Sequence, residues 1–396
     1  MNILIIHEVD WLKKITYEMH HLSELFSLKG HNVHVIDMPD FGMFSLDKKN
    51  FQTISDYNRV YEKSSVTIHR TPTIPVKGLN RMYAYFTSYK FIKKIISEND
   101  IDIVFMYLVV TNAKATIRAC KEIGIPVIHR TFDIIHELIR EKYLKEKVKK
   151  IEKAVYPSFD LVLANTPFMK HWALEMGAKN VIVVPQGVDP NIMKPMKKDK
   201  NLQKKLKILE QDNVVMYLGT IESFSGLDVF LKKIPNMLKT NPNLKILVVG
   251  GGGYLGEIKT IVKELGISKN VIFTGYVPYT DIPKYCSLAK VCINTFQIND
   301  MTNRLSPVKI FDMLACEKII VTTKLQGLQH DFPQEIGILV YSDLEKFDES
   351  INSILKNEKN DQTGIKGRIF IEKNFTWGKI ADIVLNKIEE VIYQSK

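Results

Sequence analysis

The amino-acid sequence predicts an α/β protein with two doubly wound parallel sheets. Short apolar runs typical of buried strands alternate with helical patterns along the chain. This alternation occurs in two series, separated by a lysine-rich stretch over 194–207 that begins near Pro190 and Pro195. The length of 396 residues is enough for two domains of ordinary size. We therefore predict two Rossmann-like domains that face each other across a cleft, with ligands beyond the carboxyl ends of the strands.

The first series covers the N-terminal half of the chain. Its predicted strands are 3–6, 32–36, 101–107, 126–129, 161–164 and 181–184, and its predicted helices are 13–28, closed by Gly30, and 113–123. The second series has predicted strands at 214–218, 244–249, 271–274, 291–295 and 319–322, and a helix at 227–238.

A last amphipathic helix is predicted over 377–393. Its apolar stripe consists of Ile380, Ile383, Val384, Ile388 and Val391. The predicted domains are 1–190 and 208–376, with 191–207 as a solvated linker.

Composition narrows the class of protein. Hydrophobic residues make up 45% and charged residues 25%, as in ordinary globular proteins. No apolar run approaches the roughly 20 residues that span a membrane, and the N-terminus lacks signal-peptide features, so we expect a cytoplasmic protein. Its four cysteines form no metal-ligand spacing and suit a reducing compartment. The net charge of +11 favours an anionic partner, but no nucleic-acid-binding motif is present.

The segment 303–322 carries the most chemical information. Ser306 is a predicted N-cap and Pro307 a predicted first helical residue. Lys309 and Asp312 lie three residues apart, close to the positive end of this helix. Free backbone N–H groups and an ammonium would bind a diphosphate, and a carboxylate one turn further could accept hydrogen bonds from ribose hydroxyls. An incidental surface ion pair is the alternative interpretation.

The run Ser306-Pro-Val-Lys-Ile-Phe-Asp312 resembles the Ser-Pro-x-Lys-x-x-Glu segment of family 4 (group 1) retaining glycosyltransferases, which have the GT-B fold. The resemblance assigns Ser306 and Lys309 to the donor diphosphate and Asp312, in place of Glu, to the ribose. Arg304 stands where the family has its first Glu, which contacts the donor sugar.

Two further segments resemble the donor half of the family. The run 217–226 resembles its glycine turn, so Gly219 and Thr220 would face the cleft, although Ser225 replaces a common basic residue. The run 271–294 resembles its strand, loop and short helix, which would bring the Tyr276–Val277 backbone close to the nucleobase.

The glycine run before Gly256 allows a different interpretation. Gly251, Gly253 and Gly256 satisfy G-x-G-x-x-G after a strand, which would suit a dinucleotide. However, the next strand does not end in the acidic residue that such a site needs, and the run lies inside its domain rather than at the start. A turn at Gly251 that lets the backbone approach a sugar or phosphate is the preferred interpretation.

The resemblance implies that the first half supplies the acceptor side. It also implies that the C-terminal helix 377–396 crosses back to join domain 1–190, although a plain helix of the second domain is the alternative. The run 160–189 resembles the end of the family's first domain, and 130–137 lies where the family has a His or His-Asp pair near the reaction centre. His136 and Asp133 are therefore candidate catalytic residues, although a structural histidine is the alternative. The usual Gly-Gly acceptor loop is replaced by the run 7–11, so a divergent acceptor site is expected.

The segment 140–153 is basic and amphipathic, with seven basic and three acidic residues and an apolar side formed by Tyr143, Leu144, Val148 and Ile151. Such a helix could contact an anionic membrane peripherally, or could simply be a solvated face.

Together these features predict a metal-independent retaining glycosyltransferase of the hexosyltransferase type. It would use a nucleoside-diphosphate sugar as co-substrate, no other cofactor, and an unknown acceptor. The sequence leaves three alternatives open: an NAD(P)-dependent oxidoreductase, a GT-B epimerase, and a non-catalytic nucleotide-sugar binder.

Overall fold

The computed structural model describes residues 1–39, 51–74, 76, 79–139, 141–356 and 361–395. Arg140, counted above in the basic segment, lies outside these residues. The chain divides into two compact units, Met1–Pro185 with Trp377–Lys396 and Gln186–Thr376. Each unit has its own sheet and its own core.

The first unit contains eight strands within the described residues. They are β1 (Asn2–Ile6), β2 (Asn32–Asp37), β3 (Gln52–Tyr57), β4 (Val66–Arg70), β5 (Ile103–Met106), β6 (Val127–Thr131), β7 (Leu161–Ala164) and β8 (Val181–Val183). Its helices up to that point are α1 (Glu18–Leu28), α2 (Leu79–Glu98), α3 (Ala113–Ile123), α4 (Lys142–Val155) and α5 (Pro167–Glu175). The strand order is β3-β4-β2-β1-β5-β6-β7-β8, and β3 alone is antiparallel to its neighbour. The order reverses between β1 and β5, where Ile3 pairs with Ile103.

The second unit contains six strands within the described residues, all in parallel pairs. They are β9 (Asn213–Leu218), β10 (Leu244–Val249), β11 (Val271–Gly275), β12 (Val291–Asn294), β13 (Ile319–Thr322) and β14 (Val340–Tyr341). The helices are α6 (Lys200–Lys205), α7 (Leu227–Leu231), α8 (Ile234–Thr240), α9 (Leu255–Glu264), α10 (Ile282–Leu288), α11 (Val308–Ala315), α12 (Gln326–Asp331), α13 (Phe347–Lys356) and α14 (Asp361–Asn374). The order β11-β10-β9-β12-β13-β14 reverses between β9 and β12.

Successive residues of β9 pack into two different cores. Val214 and Met216 join one apolar cluster, while Val215 and Tyr217 join another on the opposite face of the sheet. Because side chains alternate along a strand, both faces of this sheet are covered. This is the reason that the central strands appear in the sequence as continuous apolar runs.

Helix α1 begins later than the sequence predicted. The predicted helix 13–28 starts only at Glu18, because the preceding residues form a turn around Asp10. The Asp10 carboxylate accepts hydrogen bonds from the backbone N–H groups of Leu12 and Lys13, at 3.1 and 3.2 Å. The local side chain therefore outcompetes the first helical turn.

The predicted helix 227–238 is also corrected, since it is split into α7 and α8. Pro235 lies in the first turn of α8. Proline has no N–H to continue a helix, and its ring clashes with the carbonyl four residues earlier. Strands β3, β4 and β14, which the sequence analysis did not predict, extend the two sheets towards their edges.

Residues 191–207, predicted to be a linker, belong to the second unit. Met193 is fully buried in its core, and Asp199 caps α6 by accepting a hydrogen bond from the Leu202 N–H at 2.9 Å. The stretch is thus partly packed rather than solvated throughout.

The C-terminal helix α15 (Trp377–Ser395) packs with the first unit. Trp377 stacks on His21 of α1 with ring centroids 5.2 Å apart, and Lys29 lies 2.6 Å from Asp382. The predicted apolar stripe is buried except for Ile383, which is 41% exposed. Within the described ranges, no helix combines the length and apolar character needed to cross a membrane.

Three buried histidines predict acid sensitivity of the first unit. Burial lowers the pKa of His20 to about 4 and those of His21 and His129 to about 3. These values lie below the 6.5 of an exposed histidine, so the unfolded chain takes up protons that the folded chain cannot. Stability is full above pH 6.5 and is lost on acidification, by about 2 kcal/mol per histidine at pH 5.

Tryptophan fluorescence in urea measures this effect, because Trp11, Trp172 and Trp377 all lie in the first unit. The urea midpoint should fall clearly between pH 7 and pH 5, and His171→Gln, at an exposed histidine, should leave that fall unchanged. An identical midpoint at the two pH values would contradict the prediction.

Candidate functional site

Helix α11 follows a turn at the carboxyl edge of the second sheet. Its N-cap is Pro307, with φ −67° and ψ 125°, and Ile310 N–H donates to the Pro307 carbonyl at 3.0 Å. The predicted N-cap Ser306 is therefore corrected by one residue: it precedes the cap, because proline at 307 takes the extended conformation. The Ser306 hydroxyl is buried and has no hydrogen-bond partner among the described residues.

Lys309 is a buried lysine that has no counter-charge among the described residues. Its side chain comes from the first turn of α11, the residue is 7% exposed, and Nζ has no hydrogen-bond partner in the described chain. Nζ lies 4.4 Å from the ring centroid of Tyr217 and 4.1 Å from that of Phe296. Burial lowers the pKa of this ammonium to about 7. An unpaired buried charge is costly, so this site favours an anion.

Gly219 brings the backbone directly against Lys309. It follows β9 with φ +123°, a conformation that glycine adopts far more readily than other residues. A Cβ at this position would lie 3.2 Å from Lys309 Cδ and 3.7 Å from Nζ. Because Gly219 follows β9 and Phe296 follows β12, Lys309 lies where the strand order of this sheet reverses. Ligands of open α/β sheets bind at such a point.

Asp312 lies on α11 but is turned to other partners. It is 4% exposed and accepts a hydrogen bond from the Tyr279 hydroxyl at 3.0 Å. Burial raises the pKa of its carboxyl to about 7, while the Tyr279 bond acts against this shift. No ion pair joins it to Lys309 in the described structure. The incidental surface ion pair is therefore not observed in the described structure, where both groups are buried.

The glycine run after β10 has a packing role. A Cβ on Gly250 would lie 2.0 Å from the Gly219 carbonyl oxygen, and one on Gly252 would lie 2.3 Å from that of Ile221. Gly251 lies under the ring of Tyr276, whose hydroxyl donates to the Gly251 carbonyl at 2.9 Å. These contacts bring the two glycine turns together and account for the run without a dinucleotide.

The third glycine of the predicted dinucleotide motif, Gly256, has open space around it. In a dinucleotide fingerprint, that glycine permits close packing of helix and strand. The contacts here therefore do not reproduce the fingerprint.

The other predicted donor residues surround this region at different depths. Thr220 is exposed, and its carbonyl accepts a hydrogen bond from the Tyr217 hydroxyl at 2.7 Å. Tyr276 is 59% exposed, and Val277 is partly buried against the core. Arg304 lies in the short 3-10 helix before α11, where its Nε donates to the Asp300 carbonyl at 3.1 Å.

The two first-unit candidates differ in environment. His136 is buried, with Nδ1 2.5 Å from the Glu152 carboxylate of α4, and the same carboxylate accepts from the Ile135 N–H at 3.2 Å. The contact with Glu152 is typical of a structural histidine. Asp133 is partly buried, and burial raises the pKa of its carboxyl, with Lys14 opposing this shift.

The run 7–11, which replaces the usual acceptor loop, is held in place by hydrogen bonds and ring contacts. Glu8 accepts hydrogen bonds from the N–H groups of Thr111 and Asn112 before α3, at 2.6 and 2.7 Å. His7 Nε2 lies 2.5 Å from the Tyr17 hydroxyl, and its ring stacks on Tyr107. Burial keeps the pKa of His7 well below its ordinary value. Among the described residues, no three His, Cys, Asp or Glu side chains could hold a metal ion.

Comparison with protein families decides the classification. Residues 198–369 match the model described as glycosyl transferases group 1, and residues 19–192 match glycosyltransferase family 4. The chain belongs to the group 1 glycosyltransferases. The resemblance stated from the sequence is therefore confirmed.

Individual relatives are distant. Alpha-monoglucosyldiacylglycerol synthase of Streptococcus pneumoniae is 24% identical over 252 residues, which are 61% of this chain and 56% of that protein. A GDP-mannose-dependent alpha-(1-6)-phosphatidylinositol monomannoside mannosyltransferase of Mycolicibacterium smegmatis is 26% identical over 108 residues, 27% of this chain and 28% of that protein. The match thus spans about half the length of the first relative and less than a third of the second.

Solved structures share the fold of this group 1 chain. Sucrose-phosphate synthase of Thermosynechococcus elongatus has a TM-score of 0.77 at 15% identity, with 100% of each chain covered. HepE of Anabaena, solved with UDP-glucose, has a TM-score of 0.72 at 14% identity, covering 98% of this chain and 100% of that one. The predicted fold class, GT-B with two parallel-sheet α/β domains, is confirmed.

The side chains that surround Lys309 and Asp312 of α11 were not predicted from the sequence. Tyr217 and Phe296 contact Lys309, and Tyr279 binds Asp312. Tyr217 is the next-to-last residue of β9, and Phe296 lies two residues beyond β12. Their positions at the carboxyl ends of central strands were the available signal.

Replacing Lys309 should stabilise the protein. Lys309→Met removes an ammonium that is buried without a counter-charge and keeps an unbranched side chain, so stability should rise by about 2 kcal/mol. For a unit of this size, the calorimetric melting temperature should rise by roughly 4–8 °C. Lys263→Met, at an exposed lysine of α9, is the control and should leave the melting temperature nearly unchanged. A loss of stability in Lys309→Met alone would contradict this account of the site.

Proposed function

We propose that this protein transfers a sugar from a nucleoside-diphosphate sugar to an acceptor, with retention of the anomeric configuration. The observation that carries the proposal is the Lys309 ammonium, buried at the first turn of α11 with no counter-charge among the described residues. A diphosphate would supply that counter-charge. HepE of Anabaena, whose fold this chain shares, was solved with UDP and with UDP-glucose. UDP is therefore the first nucleotide to test.

The residues around Lys309 suit a departing diphosphate. The N–H groups of the first two residues of α11 and the Ser306 hydroxyl, which has no partner among the described residues, would donate hydrogen bonds to its oxygens, together with Nζ. Negative charge grows on the diphosphate as the bond to the sugar breaks, so fixed donors stabilise the transition state more than the ground state. Asp312, held by Tyr279, would accept hydrogen bonds from the ribose hydroxyls.

In the proposed reaction, the acceptor hydroxyl attacks the face of the sugar from which the diphosphate departs. Its proton passes to the departing diphosphate oxygen, so the protein needs no strong base and acts mainly by positioning the two substrates. Of the two first-unit candidates, we propose Asp133 as the group that contacts the acceptor, because His136 is bonded to Glu152. Proton NMR of the first-formed product would give its anomeric configuration, and inversion would contradict the proposed retention.

Donor binding depends on Lys309 in this proposal. One nucleoside diphosphate among UDP, GDP and ADP should raise the melting temperature, and Lys309→Met should abolish that shift while Lys263→Met preserves it. At about 100 times its Kd, a ligand adds roughly 2.7 kcal/mol, which is readily visible. In sugar transfer, Lys309→Met should lower kcat/KM by roughly 10² or more, as loss of one oxyanion donor does.

The same melting-temperature screen, extended to NAD(H), separates the alternative functions. A shift with NAD(H) alone would contradict the proposal and favour an oxidoreductase. A nucleoside-diphosphate shift without sugar transfer to any acceptor would favour a non-catalytic binder or an epimerase. A fall in kcat/KM of less than about threefold would remove Lys309 from the mechanism.

A lipid acceptor at an anionic membrane is favoured by the surface of the first unit. The names of the relatives from Streptococcus and Mycolicibacterium refer to a glucosyldiacylglycerol and a phosphatidylinositol mannoside. On α4, Tyr143 and Leu144 are 78% and 46% exposed beside several lysines, and on α2 Phe86 is 75% exposed. Basic helices with exposed apolar side chains bind anionic bilayers peripherally.

Vesicle sedimentation tests this contact. Each lysine near an anionic surface contributes roughly 1 kcal/mol, so removing four should lower binding to phosphatidylglycerol vesicles at least tenfold. The variant changes Lys142, Lys147, Lys149 and Lys150 to Gln, and the charge-matched control changes Lys194, Lys197, Lys200 and Lys204 to Gln. Equal binding by the two variants would contradict the membrane contact through α4.

A further inference from the structure

Two aromatic rings enclose the Lys309 ammonium. Tyr217 lies in β9, and Phe296 lies just after β12. The rings are therefore held at the ends of the two central strands of the sheet. Their centroids lie 4.4 and 4.1 Å from Nζ, within the range at which a ring face attracts a cation. We call this pair of rings, Tyr217 and Phe296, the aromatic cage.

Charged groups on α11 and on the segments next to the cage strands and α11 have other partners. Asp312, on the same helix, accepts from the Tyr279 hydroxyl. Glu222, in the loop after β9, accepts from the Gly253 N–H at 2.9 Å. Arg304, before α11, donates to the Asp300 carbonyl. Within the described residues, the cage rings are therefore the groups that hold the ammonium, and no carboxylate competes for it.

Both rings are fixed by contacts of their own. The Tyr217 hydroxyl donates to the Thr220 carbonyl at 2.7 Å, which couples this ring to the Gly219 turn. Phe296 packs edge-to-face on Phe224 with centroids 5.4 Å apart, and its carbonyl accepts from the Thr323 hydroxyl at 2.8 Å. A rigid cage limits where Nζ can lie before any ligand arrives.

We propose that Tyr217 and Phe296 are positioning residues that hold the Lys309 ammonium beside the Gly219 turn, ready for the donor diphosphate. The inference rests on the proposed function, because it assigns the cage to the same donor site. A carboxylate partner would have to be displaced by the incoming diphosphate, whereas a ring face stabilises the cation and leaves its hydrogen-bond donors free. The cage thus keeps the lysine charged and in place at a low cost to binding.

The pH dependence of diphosphate binding reports on the cage. Burial lowers the pKa of Lys309 to about 7, so the ligand-free protein loses this charge as the pH rises above 7. Affinity for a nucleoside diphosphate should therefore fall on the alkaline side, up to tenfold per pH unit. Among the described residues, the titratable group in contact with Lys309 is Tyr217, which has Glu222 as its charged neighbour. Asp312, on the same helix as Lys309, is influenced by Tyr279 and by Cys286 of α10. Asp312 titrates in the same range, because burial raises the pKa of its carboxyl to about 7.

Fluorination of Phe296 tests the cage without changing its shape. Trifluorophenylalanine at position 296 removes most of the negative charge from the ring face, so the ligand-free ammonium is held less well. Calorimetry would follow the affinity of whichever of UDP, GDP and ADP binds the wild type, at intervals from pH 6 to pH 9. The pH above which the affinity begins to fall, here called the break, lies near pH 7 in the wild type. Trifluorination should move this break down by roughly half a pH unit, with intermediate shifts for mono- and difluoro rings. The phosphate of the ligand titrates near pH 6, below the pH range in which the affinity is expected to fall.

Two controls assign the result. The same fluorination at Phe332, in the core of the second unit, should leave the break unchanged. An Asp312→Asn background removes the titration of that carboxyl, and the fluorination shift should persist in it.

The outcomes separate the inference from the proposed function. A break that moves with fluorine content at position 296, and not at position 332, would support the cage. A wild-type break that is insensitive to fluorination would overturn it while leaving the donor site intact. If the wild type binds none of the three nucleoside diphosphates, or if Lys309→Met retains both the affinity and the break, the proposed donor site itself is wrong.

Discussion

The site in the second unit depends on the Lys309 ammonium, which is buried and has no hydrogen-bond partner among the described residues. Lys309 is carried into the carboxyl edge of the sheet by α11, whose apolar side chains fix the helix on the core. Burial without a counter-charge is unfavourable, and the fold supports it with two ring faces and with a glycine turn that leaves room for the side chain. In the proposed function, the stability lost at this lysine is recovered when an anion binds beside it.

The glycines of the second unit follow from the same constraint. Gly219 must approach Lys309, and Gly250 must approach Gly219, so no Cβ fits at either position without moving backbone or lysine. The tight pair of turns holds the Thr220 carbonyl where the Tyr217 hydroxyl binds it. Backbone approach, rather than a glycine-rich phosphate loop, is what this part of the sequence specifies.

Local patterns predicted the central strands, since β9, β10, β12 and β13 are continuous apolar runs buried on both faces. The helix carrying Lys309 and Asp312 was predicted as well, with its start one residue early. The environment of these side chains depends on contacts between distant segments: Tyr217 lies 92 residues before Lys309, and Tyr279 lies 33 before Asp312. Edge strands such as β3, with exposed polar residues, lack the apolar signal altogether.

The most direct test is a crystal structure of the complex with the nucleoside diphosphate that binds best. The account predicts that Lys309 Nζ lies about 2.7–3.0 Å from an oxygen of the terminal phosphate. The ribose hydroxyls should then face Asp312. A diphosphate bound away from the first turn of α11, or a Lys309 ammonium paired with a protein carboxylate in the complex, would contradict the central claim.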